Sequence, residues 1–78
     1  MSVEGHLFTN GNPASLESAQ ILRDAGIDFA EIETERDVIE DETGKHTVPL
    51  LVSPRGHFEG TPRISEFVHI VQNGAKLQ

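Results

Sequence analysis

A chain of 78 residues that contains no cysteine must hold its fold together without disulfides. A domain of this size buries only about 60–65% of the surface of its unfolded chain, so its core is small. The histidines show no metal-ligand spacing, and the sequence therefore predicts no metal site. We expect a single, well-packed domain over residues 1–78, in which helices pack against a sheet. The four histidines are His6, His46, His57 and His69.

The net charge is −7, from thirteen acidic and six basic residues. Nucleic-acid-binding domains carry a basic surface, so no nucleic-acid partner is expected, and no anionic membrane partner either. No apolar run reaches the roughly 18 residues of a membrane span, and no signal peptide is recognisable, so we expect a cytoplasmic protein. Self-repulsion favours a monomer. The acidic run over residues 31–42 is interpreted as a solvated face, with a surface for a basic partner as the alternative.

The first half of the chain predicts a strand, a helix and a second strand. Residues 6–9 are a short strand, and the next helix has Asn12 as its N-cap and Pro13 at its first position. Gly26 ends this helix. Residues 27–33 alternate apolar and acidic side chains, which indicates a half-buried strand. The buried stripe of the helix comprises Ala14, Ser18, Ile21, Leu22 and Ala25.

The middle of the chain predicts one short helix and one buried strand. Residues 34–42 are acidic with a single apolar pair, and Asp37 with Glu40 suits the capping box of a short helix. Residues 43–46 are a connector. Residues 47–53 form the most apolar segment and are rich in β-forming residues, which predicts a buried strand.

The last third predicts a hairpin and a final helix. Residues 54–56 form a turn, and residues 57–60 return as a strand. The final helix runs over residues 62–73, with Thr61 as its N-cap and Gly74 at its end. The order is β-α-β-α-β-β-α. Because βαβ units place their strands parallel, this order predicts an α/β fold: a four-stranded mixed sheet with helices on both faces.

Local sequences at four places carry a family resemblance. Residues 7–9 (Leu-Phe-Thr) look like a first strand that leads into an active-site loop, and residues 47–49 are Thr-Val-Pro. Residues 59–61 (Glu-Gly-Thr) stand where a Gly-Gly pair would precede the last helix, and residues 25–29 fit a helix-to-strand turn. In this order they resemble the glutaredoxin family. The resemblance implies a three-layer thioredoxin-like fold with a cis proline in Thr-Val-Pro.

The family's Cys-Pro-Tyr-Cys motif aligns with Asn12-Pro13-Ala14-Ser15. The resemblance implies that these four positions are a vestigial active site with no catalytic residue. The alternatives are a repurposed loop and, favoured over it, a simple helix cap. Ser15 is isosteric with cysteine, but its hydroxyl is too weak an acid to act as a nucleophile without an adjacent base. Without a thiol, the chain itself cannot perform thiol–disulfide exchange.

The glutathione site of the family is only partly preserved. Where the family has a basic loop residue this chain has Asn10, and the first glycine and the aspartate of the Gly-Gly-x-Asp turn are Glu59 and Pro62. Glu59 would repel a carboxylate, whereas Lys45 or His46 would attract one. We therefore expect no cofactor, with glutathione binding as the less favoured alternative.

The leading hypothesis is a non-catalytic binding or regulatory module. Its partner would be a protein or peptide that pairs with the Thr-Val-Pro edge beside the N-terminus of the first helix. The alternative is a degenerate member of glutathione or redox metabolism, which would need a thiol supplied by its ligand or partner. The predicted binding residues are Asn10, Asn12, Lys45, His46, Thr47, Val48, Pro49, Gly60 and Thr61.

Overall fold

The fold combines a four-stranded mixed sheet, two helices and a separate two-stranded hairpin in the computed structural model, which describes residues 3–76. The elements are β1 (Gly5–Thr9), α1 (Pro13–Asp24), β2 (Phe29–Glu33), β3 (Val38–Asp41), β4 (Gly44–Thr47), β5 (Leu50–Ser53), β6 (Gly56–Glu59) and α2 (Gly60–Lys76).

The main sheet has the strand order β2-β1-β5-β6. β1 and β2 are parallel and are joined through α1, with Thr9 opposite Glu33 at their carboxyl ends. β5 runs antiparallel to both β1 and β6, so that Leu51 lies between Leu7 and Phe58. The predicted βαβ unit, the closing hairpin and the mixed four-stranded sheet are therefore confirmed.

Helix α1 begins and ends where the sequence predicts. The Oδ1 atom of Asn12 accepts a hydrogen bond from the Ser15 N–H at 2.7 Å, and Pro13 occupies the first turn. This bond satisfies one of the N–H groups that the first helical turn leaves without a partner. At the other end Gly26 follows the cap with φ 72°, a conformation that glycine adopts readily.

The core lies between the sheet and both helices. Leu7, Leu51 and Phe58 are neighbours on one face of the sheet, and the rings of Phe58 and Phe67 meet edge to face at a centroid distance of 5.1 Å. Both helices bury residues in this same cluster, so they cover one face, and the prediction of helices on both faces is wrong. The helical core residues are Ala19 and Leu22 of α1 with Ile64 and Phe67 of α2.

The hairpin β3–β4 meets the main sheet at β6, where Asp41 and His46 contact His57 and Glu59, and residues 34–42 do not form the predicted short helix. The reason is local turn chemistry. The Asp41 carboxylate accepts hydrogen bonds from the N–H and the Oγ–H of Thr43, at 2.8 and 2.6 Å, which closes a turn. Gly44 follows with φ 123°. The chain therefore reverses where the predicted helix would have ended, and residues 38–41 pair as β3 with β4 (Gly44–Thr47), which includes most of the predicted connector.

Three further boundaries differ from the prediction. α2 begins at Gly60 and continues through position 74 to Lys76, so Gly74 does not end it. β5 begins at Leu50 because Thr47 pairs with Val38 in the hairpin. β2 begins at Phe29 rather than at residue 27, and as an edge strand it is mostly exposed rather than half-buried.

Candidate functional site

The loop before α1 is closed by its own hydrogen bonds. Ser15 is fully buried, and its Oγ donates to Oδ1 of Asn10 at 3.1 Å and accepts from the Asn10 N–H at 3.2 Å. Within residues 3–76 no histidine or carboxylate contacts this hydroxyl. Ser15 therefore lacks the oriented base that an oxygen nucleophile requires.

Asn10 also ties this loop to the start of the hairpin. Its Nδ2 donates to the carbonyl of Arg36 at 3.2 Å and to Oδ1 of Asp37 at 3.0 Å. Its Oδ1 accepts from the N–H of Asn12 at 3.2 Å. The side chain that was expected to meet a ligand thus holds three parts of the chain together.

The Thr-Val-Pro segment is bonded to the chain itself. The Val48–Pro49 peptide bond is cis, which is the geometry that the family resemblance implies at this position. The Val48 N–H donates to the Asp37 carbonyl, and the Pro49 carbonyl accepts from the Gly60 N–H, each at 2.8 Å. A peptide that paired with this edge would have to displace the residues before β3.

Several predicted binding residues meet between the two helix starts. Thr61 Oγ1 donates to the Ala14 carbonyl at 3.3 Å and lies 3.2 Å from Ser18 Oγ. Since Gly60 is bonded to Pro49, the first turns of α1 and α2 and the start of β5 adjoin one another. Lys45 is not part of this region, because it lies exposed on β4 opposite Glu40.

An open cleft of about 500 Å³ lies at the carboxyl ends of the parallel strands. The Thr34 N–H donates to the Thr9 carbonyl at 2.8 Å, which joins the two strand ends beneath the cleft. In open α/β sheets, ligands bind in the crevice outside these strand ends. We call this space the acidic cleft, and it is lined by Thr9, Asn10, Gly11, Glu31, Glu33, Thr34 and Glu35.

Three glutamates give the acidic cleft its charge. Glu31 is partly neutralised, because its carboxylate binds Arg23 at 2.8 Å and accepts from the Thr9 hydroxyl at 3.0 Å. Glu33 and Glu35 are exposed and form no ion pair in the part of the chain that the structure describes. The cleft therefore attracts cations and repels carboxylates.

A second polar group joins the hairpin to the main sheet; we call it the histidine cluster and define it as Asp41, His46, His57 and Glu59. His46 Nδ1 lies 2.7 Å from Glu59 Oε1, and its Nε2 lies 3.2 Å from Asp41 Oδ1. His57 Nε2 lies 3.1 Å from Asp41 Oδ2. The two imidazole rings stack with centroids 4.5 Å apart.

Hydrogen bonds in and around this cluster favour a negatively charged Asp41 and a positively charged His46. Hydrogen bonds from the hydroxyl and the N–H of Thr43 hold the pKa of the Asp41 carboxyl well below its usual range. The hydrogen bond to Glu59 raises the pKa of the His46 imidazole. His46 was predicted to meet a carboxylate of a ligand, and both its ring nitrogens instead face carboxylates of the chain itself.

Sequence reasoning missed both the acidic cleft and the histidine cluster. The position of Thr9 and Glu33 at the ends of two parallel strands is a signal that could have located the cleft. Asp41 followed three residues later by Gly44 is a turn signature, and this pattern could have predicted the hairpin. The pairing of His46 with His57 has no sequence signal, because it depends on how the hairpin folds onto the sheet.

The chain matches no protein-family model, no curated protein and no solved structure. Among residues 3–76, neither helix has the length and apolar character needed to cross a membrane. Functional inference therefore depends on the geometry described above.

Proposed function

We propose that this chain is a non-catalytic binding or regulatory module that recognises a basic segment of a protein partner at the acidic cleft. The observation that carries the proposal is the cleft itself, which lies beside the Asn10–Gly11 loop and contains three glutamates. Glu33 and Glu35 face solvent, and within the described part of the chain neither forms an ion pair, so a lysine or arginine of a partner could pair with them.

The loop before α1 supports a non-catalytic role. Its hydroxyl, at Ser15, is buried and bonded to Asn10, and the chain has no thiol. A buried hydroxyl whose hydrogen bonds are all made within the chain stabilises the fold and is not available as a nucleophile. The loop thus forms one wall of a binding site.

Glutathione is a poorer ligand for the same region. The tripeptide carries two carboxylates, which the glutamates of the acidic cleft would repel. The Val48 N–H donates to the Asp37 carbonyl and the Pro49 carbonyl accepts from the Gly60 N–H, so neither group is free to hold the tripeptide. A peptide with positive side chains fits this surface better on charge.

The test is an NMR titration of the ¹⁵N-labelled chain with a short Lys/Arg-rich peptide and with a Glu/Asp-rich peptide of equal length. We expect saturable shifts at Asn10, Gly11 and Thr34 for the basic peptide alone. These shifts should weaken as salt is added, since exposed charges are screened.

A matched pair of variants separates a site from bulk attraction. The double variant Glu33→Gln/Glu35→Gln should weaken binding, whereas Glu4→Gln/Glu17→Gln removes the same charge elsewhere and should leave binding unchanged. Equal weakening in both would show that only the net charge of −7 attracts the peptide. Saturable shifts with glutathione at Asn12, Val48 and Gly60 would favour the redox alternative instead.

A further inference from the structure

We propose that Asp41, His46 and His57 bind a divalent transition-metal ion, with Zn²⁺ as the ion whose ligand preferences fit best. One ligand atom from each of these side chains lies within 4.8 Å of the others. Two imidazoles and one carboxylate with an open fourth position form a donor set that zinc uses in proteins. The site shares no residue with the acidic cleft and does not depend on the proposed function.

The distances already approach those of a coordinated ion. Ligands placed tetrahedrally at about 2.0–2.1 Å from zinc lie about 3.3–3.4 Å from one another. The two Asp41 oxygens lie 3.2 Å from His46 Nε2 and 3.1 Å from His57 Nε2. An ion bound among these atoms would replace both contacts.

One ring must turn for the site to close. The two imidazoles are stacked within 11° of parallel, so their in-plane lone pairs run side by side instead of converging. Rotation of His57 about χ2 would tilt its ring out of the stack, and its energetic cost is small because that torsion has a broad energy minimum. The His57 side chain is 27% exposed, which leaves room for its ring to rotate. Within residues 3–76 its one polar contact is to Asp41, and Asp41 would bind the same ion.

The surrounding groups orient two of the three ligands. Glu59 takes the Nδ1 side of His46 at 2.7 Å. On the other side of the ring, Nε2 lies 2.7 Å from the Thr43 hydroxyl and 3.2 Å from Asp41 Oδ1, so a bound ion would take the place of the hydroxyl at this nitrogen. Histidine ligands of metals usually donate their second N–H to such a carboxylate. The N–H and hydroxyl of Thr43 hold the Asp41 carboxylate in place. These supports distinguish the cluster from acidic and histidine side chains that are merely close.

The test is a titration of the tag-free chain, freed of metal with EDTA and exchanged into buffer, with ZnCl₂ at neutral pH. We expect calorimetry to give one ion per chain. The side-chain ¹⁵N signals of His46 and His57 should shift, and those of His6 and His69 should not. No saturable binding in a large excess of ion, or shifts of all four histidines together, would overturn the proposal.

Variants provide an independent measurement. His57→Asn should weaken binding about tenfold or more, and His69→Asn, which changes an exposed histidine of α2, is the matched control and should leave binding unchanged. Glu59→Gln should weaken it about 10–100-fold, the range measured for outer-shell carboxylates. Equal affinities for the His57 and His69 variants would contradict the site. The amide spectrum of each variant shows whether it is folded. If a variant does not fold, the side-chain ¹⁵N shifts of His46 and His57 in the unaltered chain test the site by themselves.

Discussion

Replacing Asn12 by alanine tests whether this position is a helix cap. The variant loses the oxygen that lies 2.7 Å from the Ser15 N–H, at a point where Ser15 is fully buried. Loss of such a cap costs about 1 kcal/mol, with a range of about 0.5–2. For 78 residues the entropy of unfolding is about 0.16 kcal/mol per kelvin. The expected fall in Tm is therefore about 6 °C, within a range of about 3–12 °C.

The assay is thermal unfolding followed by far-UV circular dichroism at neutral pH. Asn12→Asp is the matched control, because aspartate keeps the acceptor and places a negative charge at the helix N-terminus, where it is favourable. The control should keep the Tm of the unaltered chain to within about 2 °C. An equal fall in both variants, or an unchanged Tm in Asn12→Ala, would refute the capping role.

Three further predictions concern the core and the histidine cluster. Leu51→Ala should lower the free energy of unfolding by about 2–5 kcal/mol in urea titrations, because Leu51 is fully buried between two strands of the core. Gly5→Ala should lower it by about 1–3 kcal/mol, since the added Cβ would lie 2.8 Å from a backbone oxygen of β5; an unchanged value would mean that the strands separate freely. The contact between His46 and Glu59 should depend on pH in metal-free buffer, because the pKa of His46 is raised in the folded chain. The contribution of this contact to the free energy of unfolding should be complete below about pH 6.5 and should disappear as the pH rises through the folded pKa of His46. The pKa of Asp41 is lowered instead, so the contribution of Asp41 should disappear at low pH. Melting at several pH values should show a larger loss above neutrality for the unaltered chain than for His46→Gln, and parallel curves would contradict the prediction.

The first helix and its flanking strands were predictable because their signals are local. Asn12, Pro13 and Gly26 mark the ends of α1 through the dihedral angles and hydrogen bonds of single residues. The parallel pairing of β1 and β2 follows from the helix that connects them, because such a crossover returns the chain to the same end of the sheet. The same reasoning predicted the β5–β6 hairpin from the turn at residues 54–56.

The region over residues 34–47 carries one local signal, the turn from Asp41 to Gly44, which marks a reversal of the chain but does not by itself identify the strands on either side. Its only apolar pair, Val38 and Ile39, fits either a strand or one turn of a helix, and short segments of this kind give no decisive periodicity. The structure places them in a hairpin because the carboxylate of Asp41 binds the next turn and because His46 contacts the sheet. A tertiary contact therefore outweighed weak local propensity.

The sequence alone determined that the chain has no thiol, that Asn12 caps α1, and that a mixed sheet follows from the order of the elements. Only the tertiary structure decided which polar groups become sites. It closed the Thr-Val-Pro edge with the backbone of Asp37, left three glutamates around one cleft, and stacked His46 on His57. The physical reason is range: caps and turns depend on neighbours within a few residues. A cleft or a ligand set depends on strands and hairpins that meet across the fold.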